Sequence, residues 1–326
     1  MPISTVKVFS EVRRKYSSLV VVLVKKWGIE VSEEWAEREL IFYVNGEWVP
    51  ESQATISVLD QGLLYGFGVF EGIRIYGGGI FKLNEHIDRL YRSAQSAQIN
   101  IPLTKADLAE ICREFVVRNN MKEGHLRIIV TPGKGYTWDT FGSPTTAVFG
   151  IPIGRMFESG HEGIRLKTSS LRRTPPECLD PRMKTLNYFN NKLHKMEALA
   201  AGVDDAIVLD MRGFVSELSG ANFFITKDKT LLTSRKQFIL EGVTRATVFE
   251  LAKKEGFQVI EEDLTLYDVY TADEAFTCGS GYEITPVVEV DGRKIGDGKP
   301  GPITSKLQKL YVELTHTEGP WFTKAL

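Results

Sequence analysis

Residues 204–234 read DDAIVLDMRGFVSELSGANFFITKDKTLLTS, and their pattern sets the fold class. β-Branched, aromatic and other apolar residues fill "DAIVLD", "FVSEL", "NFFIT" and "LLTS". Turn residues interrupt these runs at Met211–Gly213 and Lys227–Lys229. Strand follows strand with no helical pattern between them. Elsewhere strands and helices mix without a regular βαβ alternation, so the chain reads as α+β and not as a doubly wound sheet.

Toward the C-terminus, Thr244 is expected to cap a helix with Val248, Leu251 and Ala252 inward and Gly256 at its end. The strand "EAFTCGS", the hairpin "VVEVDGRKI" and an amphipathic helix from about Ile303 complete that half. Toward the N-terminus come a helix from about Asn190 that Gly202 stops, the irregular "RRTPPECLDPRM" and the strand "IRLKTSS".

Before the connector-like "GRMFESGHEG" lies a second set of elements. "LIFYVNGEWVP" reads as two strands around Asn45-Gly46, a strong hairpin signal. "ATISVLD", "GVFEGIRIY", "HLRIIVTPG" and "TTAVFGIPI" read as further strands, and Gly77–Gly79 turns into "IFKL". Asn84 is expected to cap a helix with Ile87, Leu90, Tyr91 and Ala94 on its apolar face, and Thr104 to cap another. The expected organisation is an N-terminal extension (1–40), a small α+β domain (41–153), a connector (154–163) and a large domain (164–326).

At 326 residues, 43% of them hydrophobic and 25% charged, the chain is long enough to bury a sizeable core. Its net charge of −2 offers no electrostatic footprint for nucleic acid. Cys112, Cys178 and Cys278 form no CxxC pair, which suits free thiols in a reducing, cytoplasmic setting. The apolar run Leu19 to Val24 is too short to span a bilayer and lacks a small-residue cleavage site, so no membrane partner is expected. The first residues are basic (Lys7, Arg13, Arg14, Lys15, Lys25, Lys26) against Glu11 alone. They read as an extra helix on the surface or at a subunit contact, with a targeting segment as the alternative.

Single motifs carry little chemistry here. "GFGVFEG" (66–72) has phosphate-loop flavour, but no helical pattern follows it as a dinucleotide fingerprint requires. Its glycines read as close strand approach. Lys184 alone is one lysine among many, and His125 alone is an ordinary structural histidine.

Read together, six segments say more. "YGFGVFEGIRIY" (65–76), "EHIDRLYRSA" (85–94), "MKTLNYFNN" (183–191), "DDAIVLDMRGFVSELSGANFF" (204–224), "LEGVTRATV" (240–248) and "EITPVVEVDG" (283–292) occur in that order. The chain thereby resembles the fold-type IV pyridoxal-phosphate enzymes, above all the branched-chain amino acid aminotransferases, from about residue 40 to 315. The resemblance implies a small α/β domain beside a larger domain with a β-barrel-like core, a homodimer, and pyridoxal 5'-phosphate as cofactor.

The family roles map onto this chain residue by residue. Lys184 matches the lysine that holds the cofactor as a Schiff base and then shuttles the α-proton, so it must release a proton near neutral pH. Glu217 matches the acid facing the pyridine nitrogen, and Tyr188 the hydroxyl bonding the cofactor's phenolic oxygen. Arg89, Val243, Thr244 and Ser280 match the phosphate site, where a guanidinium and a helix N-terminus suit an anion.

For the substrate, Tyr65, Phe70, Gly72 and Arg74 match the strand lining the side-chain pocket. Arg127 matches the arginine that helps read the carboxylate of glutamate-type donors, and Gly281 lies in the turn whose backbone N–H groups meet the substrate carboxylate. The resemblance implies reversible amino transfer from a branched-chain L-amino acid to 2-oxoglutarate, so amino acids and 2-oxo acids are the small-molecule partners. This chain departs from the family's usual residues at His125 (often Tyr) and at Ser280-Gly281-Tyr282 (often Thr-Ala-Ala), which bears on substrate choice. (R)-selective amine or D-amino acid transaminases and an aminodeoxychorismate lyase-like enzyme are the alternatives on the same fold. A non-catalytic relative would need neither Lys184 nor Glu217.

Overall fold

The computed structural model describes residues 39–137, 139, 142–155, 162–317, 319 and 322–325. The expected N-terminal extension, apart from its last two residues, and most of the connector at 154–163 lie outside the described residues.

The first sheet starts with the hairpin of β1 (Ile41–Val44) and β2 (Glu47–Pro50). Asn45 (φ 51°) and Gly46 (φ 98°) supply the left-handed pair that its two-residue turn demands. Residues 54–60, expected to be a strand, are not one. Ile56 and Val58 are 52% and 74% exposed and no described strand pairs with them; the segment instead leads into the short helix α1 (Gln61–Tyr65), capped by Asp60 through Gly62 N at 2.8 Å.

Next come β3 (Val69–Tyr76), β4 (Gly79–Phe81), helices α2 (Leu83–Ser96) and α3 (Lys105–Arg118), β5 (Gly124–Thr131) and β6 (Thr145–Ile151). Helix α2 begins one residue before Asn84, which therefore is not its cap. The left-handed turn at Lys82 (φ 50°) sets that start, and the Lys82 amine pairs with Glu250 at 2.9 Å. Thr104 does cap α3, in a reciprocal box with Asp107. The strands form an antiparallel sheet in the order β4-β3-β5-β6-β1-β2.

The second sheet uses β7 (Ile164–Arg172), β8 (Asp205–Leu209), β9 (Val215–Leu218), β10 (Asn222–Lys227), β11 (Thr230–Ser234), β12 (Val259–Glu262), β13 (Glu274–Gly279), β14 (Glu283–Val290) and β15 (Arg293–Lys294). Its order is β12-β11-β10-β13-β14-β7-β8-β9, with β15 on β14. Although β9 and β11 stand near opposite ends of that order, Ser234 Oγ donates to Val215 O at 2.7 Å, and Leu218 N donates to Ala221 O at 2.8 Å. The sheet therefore curls back on itself, giving the barrel-like core. Helices α4 (Phe189–Ala200), α5 (Val243–Lys254), α6 (Leu266–Tyr270) and α7 (Pro302–Thr315) complete this part. Helix α5 starts at Val243 behind Gly242, so Thr244 lies in its first turn and does not cap it. β12, α6 and the final strand β16 (Phe322–Lys324) had no clear sequence signal; β16 pairs with β4, so the chain's end returns to the first sheet.

Aromatic rings fill the seam between the sheets. Tyr76 and Phe81 of the first join Phe224, Phe276 and Tyr311 in one buried cluster, with Phe81 and Tyr311 edge to face at 5.6 Å. Each such ring contributes roughly 1.5–3 kcal/mol on burial, so the seam packs the two halves into one body.

Candidate active site

Between the two sheets lies a cavity of about 320 Å³, large enough for a small cofactor. Lys184 enters it from the crossing between the halves. Phe70 N donates to Lys184 O at 3.0 Å, Leu186 N to Gly68 O at 2.8 Å, and Lys184 N to Ser93 Oγ at 3.1 Å. The lysine's backbone is thus tied to β3 and α2, while the chain beyond it runs into α4. Its Nζ donates to Tyr188 Oη at 2.9 Å and sits 4.3 Å from the Phe70 ring centre. Among the described residues it has no carboxylate partner. Tyr188 meets Phe70 edge to face at 5.0 Å, which fixes the hydroxyl's position.

Glu217, on β9, lines the same cavity and is almost fully buried. Its Oε1 pairs with Arg173 Nη2 at 2.7 Å, and its Oε2 accepts from Asn222 Nδ2 at 2.9 Å and Leu240 N at 3.3 Å. Burial raises its pKa above the ordinary glutamate value, and the Arg173 charge is the main force against that rise. A carboxylate so placed can hold a proton on a neighbouring ring nitrogen.

The anion end of the cavity is built by α5 and Arg89. The first N–H groups of a helix have no intrahelical acceptor, and no side chain caps α5. A Cβ on Gly242 would stand 2.1 Å from Asn222 Oδ1, so only glycine fits there. Arg89 spends Nε and Nη2 on Glu71 and Nη1 on Glu241 O at 2.9 Å, leaving two of its five N–H groups for an anion. Val243, Thr244, Ser280 and Gly281 line the same cavity.

Phe70 and Gly72, two residues apart on one strand face, form the opposite wall with His125 and Arg127. Burial, reinforced by Arg74 and Arg127, pushes the His125 pKa down to about 3, so the imidazole is neutral near pH 7. Arg127 stacks over Phe70 at 4.8 Å. Two expected pocket residues are not there. Tyr65 ends α1 at the surface. Arg74 lies four residues beyond Phe70, roughly 13 Å along the strand; it donates to Ile153 O at 2.9 Å and stacks over Tyr76 at 4.8 Å.

Residues 68–290 match the profile of the amino-transferase class IV family. The chain belongs to that family. It is 48% identical over 276 residues to a putative branched-chain-amino-acid aminotransferase of Methanocaldococcus jannaschii, covering 83% of this chain and 95% of that one. With the Pseudomonas aeruginosa branched-chain-amino-acid aminotransferase it shares 38% over 303 residues, covering 88% and 98%. The crystal structure of the Escherichia coli branched-chain amino acid aminotransferase superposes with a TM-score of 0.85 at 31% identity, covering 89% of this chain and all of that one. The branched-chain amino acid aminotransferase of Thermobaculum terrenum, solved in its PLP form, gives 0.82 at 28%, covering 89% and 99%.

This class IV aminotransferase has the fold-type IV architecture, and its cavity fits pyridoxal 5'-phosphate. Lys184 presents an amine with no ionic partner among the described residues, Glu217 a buried acid, and α5 an uncapped N-terminus beside Arg89. Sequence reasoning missed the residues that support these groups. Glu71 and Arg173 had readable signals: the one acid in a strand of mostly apolar residues, and an arginine in an irregular segment followed by prolines. Asn222 and His86 had none.

Proposed function

We propose that this aminotransferase moves the amino group of leucine, isoleucine or valine reversibly to 2-oxoglutarate, with Lys184 carrying the cofactor and transferring the proton. One observation carries the reading: the Lys184 amine, bonded to a phenol and not to a carboxylate, faces the same cavity as Glu217, a buried acid backed by Arg173. Bound pyridoxal phosphate supplies an electron-withdrawing ring that stabilises charge at the substrate α-carbon. Lys184 Nζ would take the proton from the substrate α-carbon and give it up on the cofactor side, the net shift that amino transfer requires. Glu217 would keep a proton at the ring nitrogen, and Tyr188 would bond the phenolic oxygen. Arg89, Val243, Thr244 and Ser280 would hold the phosphate.

Phe70, Gly72 and the neutral His125 suit an apolar side chain, while Arg127 suits the second carboxylate of glutamate or 2-oxoglutarate. Discrimination by a methylene is worth only about 1–3 kcal/mol, so several aliphatic donors should serve. The exposed row Ile56, Val58, Leu63 and Leu64 suits a second copy of the chain, in keeping with a homodimer. A cytoplasmic enzyme with domains at 41–153 and 164–326 completes the reading; no described helix is long and apolar enough to cross a membrane.

Purified enzyme should be yellow, L-leucine alone should bleach it, and 2-oxoglutarate should restore the colour. L-glutamate, D-alanine and (R)-1-phenylethylamine as donors separate this reading from its relatives. Release of pyruvate without a keto acceptor would point to a lyase and sink the proposal.

A further inference from the structure

The two residues that follow the turn Ser280–Gly281 each belong to a buried phenol–carboxylate pair. Tyr282, 8% exposed, sends its Oη to Asp205 Oδ2 at 2.7 Å. Asp205 is fully buried; its Oδ1 accepts from Ala206 N at 2.7 Å, and Lys195 Nζ lies 3.5 Å from Oδ2. The Ser219 side chain bonds the same phenol. Next to it Glu283, buried and left-handed at φ 53°, accepts from Tyr76 Oη at 3.1 Å and lies 3.8 Å from Arg155 Nε. One main-chain and one side-chain bond close the turn itself: Tyr282 N donates to Gly279 O at 3.1 Å, and Thr285 Oγ1 to Tyr282 O at 2.6 Å.

Packing alone does not require this arrangement. The Tyr282 ring belongs to the apolar cluster of Leu218, Ala221 and Val287, which a plain hydrocarbon side chain could also fill. Placing a carboxylate beneath it costs desolvation that such a side chain would avoid. The hydroxyl, held protonated by burial, is a donor aimed at one acceptor and so fixes the backbone next to Gly281.

We propose that Tyr282, through Asp205, is a positioning residue that holds the Ser280–Gly281 turn where its backbone N–H groups receive the substrate carboxylate. This rests on the functional reading above and on the family resemblance, which sets Gly281 in the turn that meets the substrate α-carboxylate.

The test uses holoenzyme and 4-methylvalerate, a carboxylate without an amine, titrated against the cofactor absorbance. Tyr282→Phe removes one oxygen. It should weaken 4-methylvalerate binding and raise KM for L-leucine alike by about tenfold, with kcat within about twofold. Reaction with 3-methylbutylamine, which lacks a carboxylate, should be unchanged. Asp205→Asn, read the same way, serves if Tyr282→Phe does not fold. Variants that bind 4-methylvalerate like wild type, that lose acid and amine alike, or that both fail to fold would assign a merely structural role and overturn the inference. Wild-type enzyme that neither bleaches with L-leucine nor responds to 4-methylvalerate would instead overturn the functional reading, and this inference with it.

Discussion

Both oxygens of the buried Glu71 carboxylate accept from Arg89, Oε1 from Nε at 2.7 Å and Oε2 from Nη2 at 2.8 Å. His86 Nδ1 shares Oε2 at 2.7 Å. Because β3 supplies the acid and α2 supplies both bases, the pair locks strand to helix and sets the plane of the guanidinium. The remaining Arg89 N–H groups are thereby pre-aimed before any anion arrives.

Glu71→Gln should therefore destabilise the fold by about 3–5 kcal/mol, the usual effect of breaking a buried pair, and loosen cofactor retention on dialysis. Burial opposes ionisation of Glu71, but Arg89 and His86 outweigh it and hold the carboxyl well below its ordinary value of 4.5. The lowered folded-state pKa means that the stability is fully present above pH 4.5 and shrinks as pH falls toward the folded value. Denaturant titrations of both proteins across that range check the sign; equal midpoints at pH 7 would refute the role.

Arg173→Met removes the main charge that opposes protonation of Glu217. The acid limb of the kcat–pH profile should move upward, with turnover at neutral pH depressed and largely recovered at alkaline pH. An unmoved profile would detach Arg173 from the chemistry.

Lys184→Ala should fold normally, because the Lys184 contacts that order the chain are made by its backbone. Turnover should fall by at least roughly 10²–10⁴-fold, the range for losing a positioned acid–base group. Circular dichroism and steady-state rates read the two halves of that expectation. Borohydride reduction of wild-type holoenzyme followed by peptide mapping should label residue 184.

His125 is neutral in the fold, with its pKa pushed from 6.5 to about 3. For a base whose folded pKa is lowered, the unfolded chain binds the extra proton, so stability drains away as pH falls from 6.5 toward about 3. The slope is about 1.4 kcal/mol per pH unit. His125→Phe should flatten the pH dependence of unfolding by that amount below pH 6; an unchanged slope would show that the imidazole is not shielded.

Legibility in the sequence followed the range of the interaction. The turn at Asn45-Gly46 and the cap at Thr104 are settled within a few residues, and both were readable. The segment 54–60 carried a strand's alternation yet found no partner among the described strands. Arg74 pairs across the sheet with the cavity-lining His125, but its guanidinium is engaged by Ile153 O and Glu123 and is not part of the lining. Motif order identified Lys184, Tyr188, Glu217 and Arg89 as candidates, and the cavity brings all four together.

The amino-acid order alone determined the mixed α+β class, the local turns and the family to which the motifs point, since backbone geometry and side-chain type act over a few residues. Only the tertiary structure decided which charges meet. Tyr76 and Glu283 stand 207 residues apart, and Arg89 and Glu241 are 152 apart. Desolvation makes such buried contacts strong and costly to leave unmade, and it exists only once the two sheets have closed on each other.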